Sequence, residues 1–134
     1  MDTGFWFARI DRTDRFHEKV SQYRTKEHII VPLPVITETA YLVLTRSGVE
    51  SLALFSQSLA TSKLILEPPV AQDYTRTAEI LRKYNDNNID FVDACIVAMA
   101  ERLNITKILT VDHRHFRMFK PKHCKSFELF PEKL

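Results

Sequence analysis

Residues 90 to 116, DFVDACIVAMAERLNITKILTVDHRHF, constrain the fold more than any other stretch of the chain. Between Phe91 and Leu103 the apolar residues fall on every side of a helix, and a helix without a polar face is one that its neighbours surround. The run KILTV at 107 to 111 then reads as a short buried strand. Yet Asp93 stands inside the apolar helix and Asp112 directly follows the strand. Carboxylates placed where a chain builds its core need a physical reason, because an ionised carboxylate out of water is costly unless it is paired.

The rest of the chain repeats the alternation. Residues 4 to 27 read as helical with a polar interruption near Asp11 to Asp14, and HIIV at 28 to 31 reads as a buried strand. Pro34 suits the first turn of a helix and Gly48 its C-terminal cap, with another helix over 49 to 60. LILE at 64 to 67 is a strand stopped by Pro68 and Pro69, residues 71 to 84 are helical, and SFELF at 126 to 130 ends the chain as a strand. Short apolar strands alternating with helices predict an α/β fold, a parallel sheet covered on both faces. Ligands in such sheets bind beyond the carboxyl ends of the strands, which is where Asp112 falls.

Length and composition narrow the chemistry. A chain of 134 residues with 27% charged residues suits a single domain spanning 1–134 with one sizeable core. No apolar run reaches the roughly 20 residues of a membrane span, and Asp2, Arg9, Asp11 and Arg12 break any leader-like segment, so a cytoplasmic location is expected. Cys95 and Cys124 follow no disulfide or zinc spacing. With Gly4 and Gly48 as its only glycines, the chain has neither a dinucleotide-binding fingerprint nor a phosphate-binding loop.

Four carboxylates then stand out, each with a plain structural alternative. Asp112 could simply end a strand in a turn. Asp90 reads as the N-cap of its helix; Asp93, three residues on, is either part of that cap or a ligand, and both roles stay open. Glu38 lies mid-helix in PVITETAYLVLTRSG, where a solvated face is the alternative, but the first basic residue after it is Arg46. Asp2 precedes Thr3-Gly4 and an apolar helical stretch, as at a strand end turning into a helix. If strand ends and helix starts converge, these like charges raise one another's pKa, and a divalent cation would relieve the repulsion. All-oxygen ligation suits Mg²⁺ or Mn²⁺ rather than zinc.

The segments DTGFW (2 to 6), TETAYLVL (37 to 44), DFVDACIVAMAE (90 to 101) and ILTVDHRHF (108 to 116) together resemble a PIN-domain ribonuclease, most closely the VapC-type toxins of toxin–antitoxin modules. The resemblance covers essentially the whole chain. It implies a three-layer α/β/α fold with a central parallel sheet of four to five strands and an acidic Mg²⁺ or Mn²⁺ site that cleaves RNA internally. Carried over by position, Asp2, Glu38, Asp93 and Asp112 match the catalytic, metal-binding quartet, with Asp90, Thr110 and Thr3 in support. It further implies a cognate antitoxin and a homodimer, with surface for them expected in Gly4–Ala8 and in the apolar residues of 35 to 60. The basic residues Arg114, Arg117 and Lys120 are candidates for RNA phosphate contacts against the alternative of a solvated basic face, and Arg9, Arg12 and Arg15 form a second such set. One departure is that Met1 alone precedes Asp2, where the family has an apolar strand; either the start lies upstream or the first strand is short. The rival readings are a PIN fold that binds without cleaving, and a phosphotransfer domain with an Asp nucleophile, which leaves Glu38 without a task.

Overall fold

The structure, a computed structural model, describes residues 1–134. The chain order is α1 (Thr3–Ile10), α2 (His17–Gln22), β1 (Ile30–Pro32), α3 (Leu33–Thr61), β2 (Ile65–Glu67), α4 (Ala71–Lys83), α5 (Phe91–Leu103), β3 (Lys107–Leu109), α6 (His113–Met118) and β4 (Glu128–Phe130), with a single 3₁₀ turn at Asn85–Asn87. All strand pairing is parallel: β1 with β2, and β3 with β4. The sheet expected to run continuously is therefore two separate pairs. Between them lie Met1 and Asp2. The Met1 ammonium donates to the Ile30 carbonyl at 2.8 Å, and the Asp2 N–H donates to the Leu109 carbonyl at 2.8 Å. These two residues are all the structure has of a central strand.

Strand β3 shows why both faces are covered. Successive strand residues point to opposite faces. Ile108 enters a large core with Trp6, Val35, Ile96, Val97 and Phe116, while Leu109 enters a smaller one with Phe5, Ala8 and Val20. Helices thus lie on both sides of the strands, the α/β/α arrangement. No helix is long and apolar enough to cross a membrane.

Local chemistry explains the element boundaries. Asp90 caps α5 by accepting the Asp93 N–H at 2.9 Å, and Asn104 ends it in the left-handed region at φ 54°. The polar interruption expected after residue 10 is real, with Asp11 and Asp14 side chains turning the backbone between α1 and α2. As the sequence suggests, Gly48 parts two helical runs, which meet at a kink there and together make up α3. The Gly48 φ of 87° and ψ of 179° are open to glycine alone, and the chain resumes the helix beyond it. The surface expected in Gly4–Ala8 is not available: Phe5, Trp6, Phe7 and Ala8 are buried, because α1 packs between α2 and α3. Apolar surface on α3 does remain, at Tyr41, Leu44, Val49 and Leu54.

Candidate functional site

Asp2 is the pivot. It is buried at the N-cap of α1, where Oδ1 accepts the Thr3 N–H at 2.7 Å and Oδ2 accepts the Thr110 hydroxyl at 2.8 Å. That same hydroxyl oxygen accepts the Asp112 N–H at 2.9 Å, so Thr110 ties the start of α1 to the start of α6. Asp112 caps α6 in turn, its Oδ1 accepting the His115 N–H at 3.0 Å. Glycine at position 4 permits this closeness, since a Cβ there would sit 2.9 Å from Val111 Cγ2. Gly4 and Val111 belong to the site's framework without chemistry that marks them in the sequence.

The bonds around Asp93 leave its side chain out of the cap. The cap is Asp90, and Asp93 contributes only its backbone N–H to it. The Asp93 carboxylate is left facing other carboxylates. Burial, and then the charges of Asp2, Asp90 and Asp112, push its pKa up to about 8. Burial likewise pushes Asp2 up to about 6, against its bonds to Thr110 and Thr3, with Glu38 adding to the rise. The mutual effects place Asp2, Glu38, Asp90, Asp93 and Asp112 in one electrostatic cluster.

None of these five forms an ion pair with a lysine or arginine. The contrast within this chain is Asp73, also buried, which accepts from Arg102 Nε at 2.9 Å through both oxygens and from the Val70 N–H at 2.8 Å. Asp73 is a neutralised structural carboxylate; the cluster is not neutralised. The nearest cationic candidate is His115, whose Nδ1 lies 2.9 Å from Asp112 Oδ2 and 3.7 Å from Asp93 Oδ2. Folding thus sets His115 between two carboxylates.

The donor set suits a hard cation: carboxylate oxygens, with Thr3 Oγ1 buried and without a partner next to Asp2. No three histidine, cysteine, aspartate or glutamate side chains, however, come together closely enough here to hold a metal ion. The basic residues expected to meet RNA are exposed: Arg114 and Arg117 on α6, the helix that Asp112 caps, and Lys120 just beyond it.

Known proteins resemble this chain over most of its length. The PIN domain family matches residues 1–120. Ribonuclease VapC26 of Mycobacterium tuberculosis is 32% identical over 133 residues, covering 98% of each chain. The crystal structure of VapC20 from the same organism, described as a sarcin-ricin loop cleaving toxin, superposes with a TM-score of 0.73 at 22% identity, over 79% of this chain and 83% of that one. The folded position of the acidic residues, the parallel strands with helices on both faces, and a family match over most of the length lead to one conclusion: the chain belongs to the PIN-domain family.

Proposed function

We propose that this chain is a divalent-cation-dependent endoribonuclease and the toxin of a toxin–antitoxin pair. The observation that carries the reading is the carboxylate cluster without a lysine or arginine partner, most of all half-buried Asp93, pushed up to about 8 by burial and by Asp2, Asp90 and Asp112. Such a pocket is stable in its ionised form only with positive charge supplied from outside. The printed names of the relatives, a ribonuclease and an RNA-loop-cleaving toxin, support RNA as the substrate.

In this reading Asp2, Asp93 and Asp112 hold Mg²⁺ or Mn²⁺, and Glu38 either joins them or orients the attacking water. The bound ion would lower the pKa of that water and offset charge on the scissile phosphate. Thr110 fixes the Asp2 carboxylate and the Asp112 backbone together, so two ligands keep their spacing. Asp90 and Thr3 set the positions of Asp93 and Asp2 through backbone bonds. Arg114, Arg117 and Lys120 would hold the RNA backbone against an otherwise repulsive acidic pocket. The exposed Tyr41, Leu44, Val49 and Leu54 of α3 are the surface for a second copy or for the antitoxin.

A second reading, a PIN fold that binds RNA without cutting it, draws on the absence of a ready-made coordination sphere. Incubation of RNA with the protein and Mn²⁺ separates the two. The nuclease reading requires internal cleavage that chelation stops and that Asp93→Asn reduces by more than about 100-fold while RNA binding persists. Retained binding with no cation-dependent cleavage by the unmodified chain would establish the binding module instead.

A further inference from the structure

Aromatic rings in this chain go to the interior, with one exposed pair as the exception. Of nine phenylalanines only Phe91 is exposed, at 47%, and its ring lies on that of Tyr74, exposed at 51%. The centroids are 6.5 Å apart and the planes within 14° of each other, a parallel stack. Phe91 is the first residue of α5, whose run from Ala94 to Ala100 is wholly buried, and Tyr74 stands at the start of α4. The pair sits where the contact between these two helices reaches the surface.

Both rings stand on backbone that its own caps hold still. Asp90, directly before Phe91, accepts the Asp93 N–H at 2.9 Å and so fixes the first turn of α5. Asp73, directly before Tyr74, accepts the Val70 N–H at 2.8 Å and Arg102 Nε at 2.9 Å, which ties the start of α4 to α5. A surface formed in advance on two braced helices loses little freedom when something settles on it. The pair also borders the acidic cluster, since Phe91 lies between Asp90 and Asp93 in the chain.

Size and charge decide what settles there. Two half-exposed rings offer about 200 Å² together. A standard protein interface takes about 800 Å² from each partner, so the pair is far too small for a subunit. Asp90 is exposed beside Phe91, which disfavours a phosphate on the rings. A flat, uncharged group tied to an anion that is held elsewhere meets both conditions. We infer that Tyr74 and Phe91 form a stacking platform for an unpaired base of the RNA strand whose phosphate the acidic cluster takes, an inference that rests on the RNA reading of that cluster. Every base has a π-face, so stacking fixes the strand's path with little regard to sequence. A base inside a duplex has its faces covered by its neighbours, so the platform favours single-stranded RNA over paired RNA.

The test places 2-aminopurine, a fluorescent base that aromatic stacking quenches, at each position in turn of a short single-stranded RNA. Titration uses the chain carrying Asp93→Asn, so that the strand stays intact. One position is expected to be quenched. Adding Phe91→Leu or Tyr74→Leu should abolish that quench and weaken binding at least about fivefold, because apolar bulk remains while the ring is lost. Phe91→Tyr should keep both. In the otherwise native chain with Mn²⁺, Phe91→Leu should raise KM for the same RNA by a similar factor and leave kcat nearly unchanged. Equal quenching and equal KM with leucine at either position would overturn the platform and leave the nuclease reading intact. A ring-dependent quench in a chain that never cleaves would do the reverse. A fall from dimer to monomer in the Tyr74→Ser/Phe91→Ser double variant, read by sedimentation, would also overturn the platform, because the rings would then belong to a protein interface.

Discussion

At the scale of single residues, Asp93 carries an energetic conflict that two experiments expose. Its pKa rises from 3.8 to about 8 on folding, so across that window the folded chain holds a proton that the unfolded chain has released. Its contribution to stability is fully present below 3.8 and is lost as the pH climbs through about 8. Asp2 acts in the same direction between 3.8 and about 6. The Met1 ammonium, lowered from 8.0 to about 6, acts in the opposite direction between those values, so raw melting curves mix the effects. The difference between the native chain and Asp93→Asn, without divalent cation, isolates the term. That difference should grow in favour of the variant from pH 5 to pH 8, as read by thermal melting; a flat difference would mean that Asp93 titrates normally. Thr110→Val removes a buried hydroxyl with two partners and should cost about 1–3 kcal/mol. It should also lower cleavage by about 10–100-fold through loosened ligands.

At the scale of elements, the backbone of Gly48 offers a clean test. Nothing lies within 4 Å of a Cβ placed there, so Gly48→Ala meets no steric clash and pays only for φ 87° and ψ 179°. The expected loss is about 1–3 kcal/mol in chemical denaturation, with RNA cleavage unchanged. Gly48 was legible in the sequence as the point where one helix stops before another, and two helical runs do meet there, each packed against the core, Val43 on one side and Phe55 on the other. Helix α5 was legible because its composition leaves no choice and because Asp90 is an unambiguous cap. The strands are shorter than their apolar runs, three residues each, since apolar content reports burial while pairing depends on a neighbour strand. The split in the sheet is a tertiary fact of the same kind.

At the scale of the whole molecule, the site joins positions 108 residues apart, Asp2 and Thr110, and this is why local reading could name its carboxylates but not their bonds. What made them legible was the lack of basic residues near Asp2, Glu38 and Asp93. What remained hidden was that Asp73 would find Arg102 across 29 positions and become structural. The basic surface predicts a long-range effect. Neutralising Arg114, Arg117 or Lys120 should weaken RNA binding and reduce the salt slope by about 0.7 per charge on single strands, measured by titration at several ionic strengths. An unchanged slope would assign these residues to a solvated face.

The central claim is that scattered carboxylates fold into one pocket that acts as a unit toward a cation. Calorimetric titration of Mn²⁺ into the native chain and into Asp93→Asn at pH 7 tests it most directly. The account predicts saturable binding by the native chain with release of a proton, because Asp93 is largely protonated at that pH, and at least about tenfold weaker binding without that release in the variant. Equal affinity and equal proton release in both proteins would contradict it.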